Sequence, residues 1–298
     1  MPTGTGSLLV TGASGHLGRL VIERLLEHGA GPIIATTRNP DSLQALRSQG
    51  VEVRKADFDD KESLHDAFRG AERALLISTD ALDVPGRRIE QHTRAVKALE
   101  RAEVSHVVYT SLPNPIGSPV VIAPDHAATE AALAASKLDY TVLRNNLYAD
   151  LLLASLPGAL ASGQLTDARA QGAAAYVTRE DCARVAAAVL ADRSHIGRRT
   201  LDVAGERAWT GDQLAALLNE LFERHIQHVS VPVEAFTTAL TGHGLPRPVA
   251  DVYASFETAI AKGDLAAPSD TVRRLTGQAP EDLRSFLQRN RAAFGAPR

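Results

Sequence analysis

Cysteine is nearly missing from this sequence, in which Cys182 is the single one among 298 residues. One thiol excludes an intramolecular disulfide and any metal cluster built on several cysteines. Disulfide-free chains are usual in reducing compartments, so we expect a cytoplasmic protein. A chain of this length buries about three quarters of its unfolded surface, and its core therefore needs no covalent or metal cross-link.

An excess of charge and long hydrophobic runs are missing as well. The 32 Lys and Arg residues face 35 Asp and Glu residues, a formal net charge of −3, and no basic run is long enough for a nucleic-acid partner. Every apolar run falls short of the ~18 residues that a membrane span needs, and residues 1–6 lack the layout of a secretory signal. We therefore expect a soluble protein without nucleic-acid or membrane partners, and leave open whether it is a monomer or a homodimer.

What is present is a globular composition. Apolar residues make up 44% and charged residues 22% of the chain, and these values exclude a mainly disordered protein. At about 150 residues per domain, the length predicts two domains, or one α/β domain with a large addition.

The first 145 residues repeat one pattern, in which a short aliphatic or β-branched run is followed by a turn and an amphipathic stretch. The predicted strands are 7–11, 33–37, 51–56, 74–78, 106–111 and 140–144, and the predicted helices are 16–28, 42–48, 61–69, 87–102 and 125–137. Six strands alternating with helices predict an α/β fold, a Rossmann-type doubly wound parallel sheet with right-handed crossovers.

After Arg144 the pattern changes to longer helices separated by breaks. The predicted helices are 147–160, 179–190 and 211–222, the last one capped by Thr210, and the predicted strands are 200–203 and 228–231. We expect residues 1–146 to form the Rossmann domain, rejoined by about residues 175–205. Residues 147–298 are expected to form a smaller, helix-rich domain.

A glycine-rich segment lies between the first predicted strand and the first predicted helix. Gly12, Gly15 and Gly18 follow the spacing Gly-x-x-Gly-x-x-Gly, which differs from the commoner Gly-x-Gly-x-x-Gly. Gly12 permits a tight turn, Gly15 lets the backbone approach a pyrophosphate, and Gly18 lets the helix lie close to the strand. We interpret the segment as a dinucleotide-binding turn, the other interpretation being a tight turn without a ligand.

Arg38 ends the second predicted strand, 20 residues beyond Gly18. Sites that prefer NAD place a carboxylate at this point for the ribose 2′-hydroxyl, whereas an arginine accommodates the 2′-phosphate of NADP. The string Thr36-Thr37-Arg38-Asn39 contains no carboxylate. We therefore predict NADPH over NADH as the cofactor. The alternative for Arg38 is a solvated side chain in a loop.

Four more residues lie at the ends of predicted strands or directly after them, and they are candidate cofactor contacts. Asp57 and Phe58 follow the third strand and could hold the amino group and ring of an adenine, although ordinary turn chemistry explains them equally well. Ser78 and Thr79 end the fourth strand and are expected beside the nicotinamide ribose, with plain loop residues as the alternative.

Tyr109-Thr110-Ser111 ends the fifth predicted strand, where the Ser111 hydroxyl can donate to a substrate carbonyl. With the glycine-rich segment and the arginine after the second strand, this serine resembles the short-chain dehydrogenase/reductase superfamily in its extended or atypical form. That superfamily usually carries Tyr-x-x-x-Lys after the serine. Here the fourth residue after Tyr140 is Arg144, and the fourth after Tyr148 is Leu152.

This departure, together with several strings around it, resembles the NmrA-like branch and, within it, the family of NAD(P)H:quinone oxidoreductases of type 2. The strings reach to about residue 210 and are Gly12-Ala13-Ser14-Gly15-His16-Leu17-Gly18, Arg38-Asn39-Pro40, Leu76-Ile77-Ser78, Tyr109-Thr110-Ser111-Leu112, Asp125-His126 with Thr129-Glu130, Leu143-Arg144-Asn145 and Ala208-Trp209-Thr210.

The resemblance implies a cofactor site, a substrate-binding role for the second domain and a pocket between the two domains. It implies NADPH bound by Gly12, Ser14, Gly15, His16, Leu17 and Arg38. It also implies that Asn145, Tyr148 and His126 lie beside the nicotinamide.

The missing Tyr-x-x-x-Lys bears on the acceptor. A ketone needs a proton donor for its alkoxide, whereas a quinone yields a stabilised phenolate and needs less help. Orientation by Asn145 and a hydroxyl suffices for such an acceptor. His126 is a candidate proton donor, or else a residue at a helix start that caps the backbone. We predict an NADPH-dependent oxidoreductase that transfers a hydride to a quinone or a similarly activated small molecule.

Two other functions stay open. One is a non-catalytic NADP(H) sensor of the NmrA type, and the other is a reductase for one pathway-specific carbonyl, enone or imine. We expect no metal, because the histidines at 225, 228 and 243 have no third ligand at a fixed spacing. Cys182, on an Ala-rich predicted helix, is expected to be a small buried residue rather than a nucleophile.

Overall fold

The computed structural model describes residues 6–194 and 197–294. The chain forms two compact units. The first unit comprises Met1–Leu112, Asp125–Arg144 and Cys182–Leu201, and the second unit comprises Pro113–Pro124, Asn145–Asp181 and Asp202–Arg298. Residues 1–5, part of the segment in which we expect no secretory signal, lie outside the described residues.

The strands of the described residues are, in chain order, β1 (Ser7–Val10), β2 (Ile33–Thr37), β3 (Glu52–Lys55), β4 (Ala71–Leu76), β5 (His106–Ser111), β6 (Asp139–Asn145), β7 (Gln164–Asp167), β8 (Ala173–Ala174), β9 (Arg198–Val203), β10 (Trp209–Thr210) and β11 (Gln227–Ser230). The α-helices are α1 (His16–Glu27), α2 (Gln44–Arg47), α3 (Lys61–Phe68), α4 (Arg87–Arg101), α5 (Ala123–Ala135), α6 (Leu152–Ser162), α7 (Arg179–Ala191), α8 (Gly211–Phe222), α9 (Val233–Gly242), α10 (Arg247–Ala261), α11 (Thr271–Thr276) and α12 (Leu283–Arg289). Short 3-10 segments lie at Pro40–Leu43, Ala149–Leu151 and Arg291–Phe294.

Seven strands form one parallel sheet in the order β3-β2-β1-β4-β5-β6-β9. Every pair from β3 to β6 is parallel. The same direction continues to β9, because the Tyr140 N–H donates to Gly197 O at 3.2 Å and the Asn146 N–H donates to Val203 O at 2.8 Å. The order reverses between β1 and β4, the position where doubly wound sheets bind ligands beyond the carboxyl ends of their strands. The predicted Rossmann-type fold is confirmed.

The central strands are buried on both faces, which explains their aliphatic sequences. β2 and β5 are buried along their whole length, as expected for a parallel sheet covered by helices on both sides. A core cluster joins Phe68 of α3, Leu99 of α4 and Leu133 of α5 to Leu9 and Val107 of the strands. This packing fixes where the carboxyl ends of the strands, and the residues that follow them, come to lie.

β4 runs over Ala71–Leu76, not over the predicted 74–78. Because residues 72 and 73 are charged, the pattern of apolar residues does not indicate the start of the strand. Arg73 is nevertheless buried, and its guanidinium donates to the carbonyls of Leu190 at 2.8 Å and Val189 at 3.0 Å in the last turn of α7. It thereby pairs carbonyls that a helix end leaves without an intrahelical partner.

Two predicted helices are wrong in part. In place of the predicted helix 42–48, a 3-10 segment over Pro40–Leu43 is followed by the single turn of α2 over Gln44–Arg47. The predicted helix 147–160 begins as α6 only at Leu152, after the 3-10 segment. The reason is that Val177 N–H donates to Leu147 O at 3.1 Å and Ala149 N–H donates to Val177 O at 2.9 Å, which holds this backbone extended.

The second unit also contains two small sheets. β7 pairs with β11 in parallel, and β8 pairs with β10 in the antiparallel direction; β7, β8 and β10 are not in the sequence prediction. The predicted helix 211–222 and its cap are confirmed in α8, where Thr210 Oγ1 accepts from the Gln213 N–H at 3.2 Å. Among the described residues, no helix is both long and apolar enough to cross a membrane.

Candidate functional site

The glycine-rich segment forms a tight turn between β1 and α1. Gly12 has a φ of +61°, and the Gly15 N–H donates to Gly12 O at 2.9 Å. A Cβ on Gly18 would lie 2.4 Å from Gly12 O, so only glycine fits there without movement. α1 begins at His16 with no side-chain cap on its first turn. The unpaired N–H groups of that turn and the positive end of the helix are therefore available to an anion.

The residues around this turn divide into exposed and buried ones. Ser14 and His16 are exposed, whereas Leu17 is buried in the core. The Thr37 hydroxyl donates to Ser14 Oγ at 3.0 Å and so ties the turn to the end of β2. Arg38 is the residue after Thr37 and is exposed. It has no ion-pair partner among the residues that the structure describes. The chain thus places an unpaired guanidinium next to the turn.

Asp57 and Phe58, which follow β3, make the contacts of a turn. Asp57 Oδ1 accepts from the Asp59 N–H at 3.0 Å, and the Asp57 N–H donates to Ser63 Oγ at 2.8 Å. Phe58 packs partly buried against the core cluster. These contacts agree with the turn interpretation, and a contact of either residue with adenine stays a prediction.

Ser78 and Thr79, which follow β4, are held by two neighbouring elements. The Ser78 N–H donates to Thr110 Oγ1 of β5 at 2.9 Å, and the Thr79 N–H donates to His92 Nε2 of α4 at 3.0 Å. Because an N–H can only donate, His92 Nε2 carries no proton, and its Nδ1–H points to Thr129 Oγ1 at 2.8 Å. Burial and the charge of Arg88 lower the pKa of His92 to about 3. The sequence analysis did not single out His92.

His126 lies in α5 and is buried, with only 4% of its surface exposed. Arg88 Nη2 lies 3.3 Å from its Nε2, and the Tyr109 hydroxyl lies 2.8 Å from its Nδ1. A guanidinium only donates, so Nδ1 carries the proton and donates to Tyr109. Burial, Arg88 and His92 lower the pKa of His126 well below its ordinary value. Both ring nitrogens are thus engaged inside the first unit, which does not favour His126 as a proton donor.

Ser111 ends β5 and is oriented by a carboxylate. Its hydroxyl donates to Glu130 Oε1 at 2.7 Å. Arg144 of β6 donates to the same carboxylate, from Nε at 3.1 Å and from Nη2 at 2.7 Å. Glu130 therefore links the ends of two neighbouring strands, a role that the sequence signalled only through the Thr129-Glu130 string.

Asn145 is the last residue of β6, and Tyr148 follows it three residues later in the chain. Asn145 is 6% exposed, and its Nδ2 donates to the Tyr148 hydroxyl oxygen at 3.2 Å. Its Oδ1 is buried and has no hydrogen-bond partner among the described residues. A buried acceptor without a donor is costly and is usually satisfied by a ligand or water. Asn145 Oδ1 thus fits an amide or hydroxyl donor of a bound molecule.

In the described part of the chain, no group of three or more His, Cys, Asp or Glu side chains is arranged to hold a metal ion. His228 instead contacts two carboxylates, Asp167 at 2.9 Å and Asp212 at 2.8 Å. Cys182 is fully buried.

The comparisons with known proteins agree with this geometry. Residues 12–193 match a family described as NAD(P)H-binding. Quinone oxidoreductase 2 of Escherichia coli (strain K12) is 39% identical over 271 residues, which are 91% of this chain and 93% of that protein. The crystal structure of the NADPH-dependent quinone oxidoreductase of Escherichia coli in complex with NADPH matches with a TM-score of 0.90 and 37% identity, over 95% of this chain and 99% of that one.

A second solved structure, that of the Citrobacter sp. triphenylmethane reductase complexed with NADP(H), matches with a TM-score of 0.89 and 35% identity, over 95% of this chain and 99% of that one. The family resemblance and the expectation of NAD(P)H as the cofactor class are confirmed. The roles of the individual site residues, the domain roles and the place of the acceptor stay predictions. By its fold, its glycine turn and these matches, the chain belongs to the NAD(P)H-binding family and, within it, to the oxidoreductases related to quinone oxidoreductase 2.

Proposed function

We propose that this chain is an NADPH-dependent oxidoreductase that transfers a hydride to a quinone or a similarly activated small acceptor. The observation that carries the proposal is the exposed Arg38, without a carboxylate partner in the described residues, beside a glycine turn with an uncapped helix end. The name of the 39% identical relative, a quinone oxidoreductase, supports the choice of acceptor.

The residues present fit NADPH. The first-turn N–H groups of α1, beside Gly12, Gly15 and Gly18, would hold the pyrophosphate, with Ser14, His16 and Leu17 supplying the backbone around it. Arg38 would pair with the 2′-phosphate. When bound, the reduced nicotinamide supplies the hydride.

Other chain segments would complete the cofactor site. Asp57 and Phe58 would line the adenine, and Ser78 and Thr79 the nicotinamide ribose. His92 keeps the Thr79 backbone in one position through the hydrogen bond to its N–H. A fixed first contact of this kind lowers the cost of ordering the site when the cofactor binds.

Asn145 and Tyr148 would handle the acceptor. Asn145 Nδ2 donates to the Tyr148 oxygen and so orients the tyrosine. The Tyr148 O–H would donate to the reduced acceptor. The Ser111 hydroxyl donates its hydrogen bond to Glu130. We therefore assign Ser111 an orienting role, in which its oxygen accepts a hydrogen bond. His126 would support the strand ends from within the first unit rather than move a proton.

The test measures NADPH oxidation in the presence of a panel of benzoquinones and naphthoquinones. The loss of the near-ultraviolet absorbance of NADPH reports the rate. We expect turnover that prefers NADPH over NADH. Arg38→Ala is expected to weaken NADPH binding by about 10- to 150-fold, the range of one charge-assisted hydrogen bond, and to leave NADH binding unchanged. The matched control is Arg47→Ala, which removes another exposed arginine nearby.

Three results would overturn parts of the proposal. Tight NADPH binding with no turnover of any acceptor would favour the sensor function. Turnover of enones or imines but not of quinones would favour a reductase with one dedicated substrate. Equal losses of NADPH and NADH binding in Arg38→Ala would remove the role of Arg38 at the 2′-phosphate.

A further inference from the structure

Arg179 lies over the aromatic ring of Tyr148. The guanidinium carbon is 5.1 Å from the ring centroid, within the range of a cation–π contact. The same tyrosine accepts a hydrogen bond from Asn145 on its oxygen. Tyr148 is therefore contacted by a donor at its hydroxyl and by a positive charge at its ring face.

The segments that carry the two residues are joined by several bonds inside the second unit. Backbone bonds connect Val177 to the residues on both sides of Tyr148, and a parallel bridge pairs Tyr148 with Val177 itself. Asp150 Oδ2 accepts from the Arg179 N–H at 2.8 Å. With so many bonds between the two segments, the position of Arg179 relative to Tyr148 is fixed by the fold rather than by the contact alone.

We propose that Arg179 is a positioning residue that makes Tyr148 the proton donor to the reduced acceptor. The inference rests on the proposed function and adds a residue that assists proton transfer to the reduced acceptor. A quinone that has accepted a hydride from NADPH is a hydroquinone anion. The Tyr148 O–H bond breaks, its proton forms the new O–H bond on the acceptor oxygen, and water returns a proton to the phenolate.

The charge of Arg179 stabilises the phenolate that Tyr148 leaves behind, because a cation beside a group that becomes negative favours its charged form. The chain has no Tyr-x-x-x-Lys, so a lysine at that spacing is not available for this task. Arg179 supplies a fixed positive charge from a different segment.

Other charged side chains near Arg179 offset its positive charge only in part. Asp150 Oδ1 lies 3.6 Å from Arg179 Nη1, longer than a charge-assisted hydrogen bond. Arg289 and Glu180 are also near, since Arg289 interacts with both Asp150 and Glu180 through its charge. The guanidinium is therefore not fully neutralised by one tight ion pair.

The first test needs no cofactor. Formation of phenolate is followed by ultraviolet absorbance as the pH is raised, and the difference between the wild type and Tyr148→Phe isolates Tyr148. In Arg179→Gln we expect the phenolate to form at a pH about one unit higher, and in Arg179→Lys at an intermediate pH. An unchanged titration in Arg179→Gln would overturn the inference.

The second test uses quinone turnover with NADPH. Arg179→Gln is expected to lower kcat by about 2- to 30-fold, the range of a cation–π contact. We also expect an unchanged NADPH Kd, a larger solvent deuterium isotope effect and partial rescue in Arg179→Lys. Arg207→Gln is the matched control, because Arg207 stacks on Trp209 at 4.0 Å elsewhere in the same unit. A loss without isotope effect or rescue contradicts the inference, whereas absence of quinone turnover in the wild type contradicts only the proposed function.

Discussion

Ser111 and Glu130 are joined by a hydrogen bond of 2.7 Å in which the serine is the donor. The carboxylate also receives two bonds from Arg144. The side chain of Glu130 is only 15% exposed, so its charge is held by these partners more than by water. Glu130 thereby locks the ends of β5 and β6 together within the first unit.

Glu130→Gln tests this lock. The amide can still accept from Ser111, but Arg144 loses the negative charge of Glu130 in a partly buried place. We expect a loss of about 1–3 kcal/mol in the free energy of unfolding. Denaturant unfolding of the purified variant measures it. Glu90→Gln is the control, because Glu90 pairs with Arg94 at 2.8 Å while its side chain is 68% exposed, and its loss is expected below about 1 kcal/mol. Equal losses in the two variants would argue against the lock.

The pH dependence of stability reports on His92. Its pKa is lowered to about 3 in the folded protein, from an ordinary value of 6.5. Between these two values the unfolded chain binds a proton that the folded chain excludes. Stability is therefore expected to fall as the pH drops below about 6.5, with up to about 1.4 kcal/mol per pH unit from this one residue.

The variant His92→Gln isolates that contribution. Glutamine can accept from the Thr79 N–H but does not titrate, so the slope of unfolding free energy against pH is expected to decrease by about one proton. Urea unfolding at a series of pH values gives the slope. His65→Gln, in which an exposed histidine of α3 is replaced, is the comparison. A slope that changes equally in both variants would mean that His92 is not buried in its neutral form.

Gly18 and Gly158 form a matched pair of glycines in helices. A Cβ on Gly18 meets Gly12 O at 2.4 Å and the Ala13 Cα at 2.9 Å, whereas a Cβ on Gly158 meets nothing within 4 Å. Gly18→Ala is expected to cost about 1–3 kcal/mol of stability by overpacking and to weaken NADPH binding, because the turn must move. Gly158→Ala is expected to gain about 0.5–1 kcal/mol, as alanine suits a helix better. Melting temperatures and NADPH titrations measure both effects, and normal NADPH affinity in Gly18→Ala would contradict the role of the turn.

The local parts of the fold were open to prediction from the sequence. The bounds of β2, β5 and α8 agree with the expected ones, since unbroken aliphatic runs and a capping box are signals carried by neighbouring residues. The glycine turn was predictable for the same reason. β7 was missed because it is only four residues long and pairs with β11, far along the chain.

The contacts around the candidate site were not predictable in the same way. Glu130, His92 and Arg179 contact Ser111, Thr79 and Tyr148, which belong to other segments of the chain. Only the folded chain brings these segments together. The charged start of β4 was missed for a related reason. Arg73 can be buried only because the end of a distant helix supplies its acceptors.

The contacts of Arg73 determine when the first unit can finish folding during synthesis. The carbonyls that Arg73 binds belong to residues 189 and 190, which leave the ribosome well after the first six strands. Until the chain has passed through Asn145–Asp181 and returned, the buried guanidinium of β4 has no acceptors and β9 is absent from the edge of the sheet. The first unit therefore completes its folding only after most of the protein has been synthesised. A fragment cut at residue 146 would expose an unfinished sheet edge, the kind of surface that promotes aggregation.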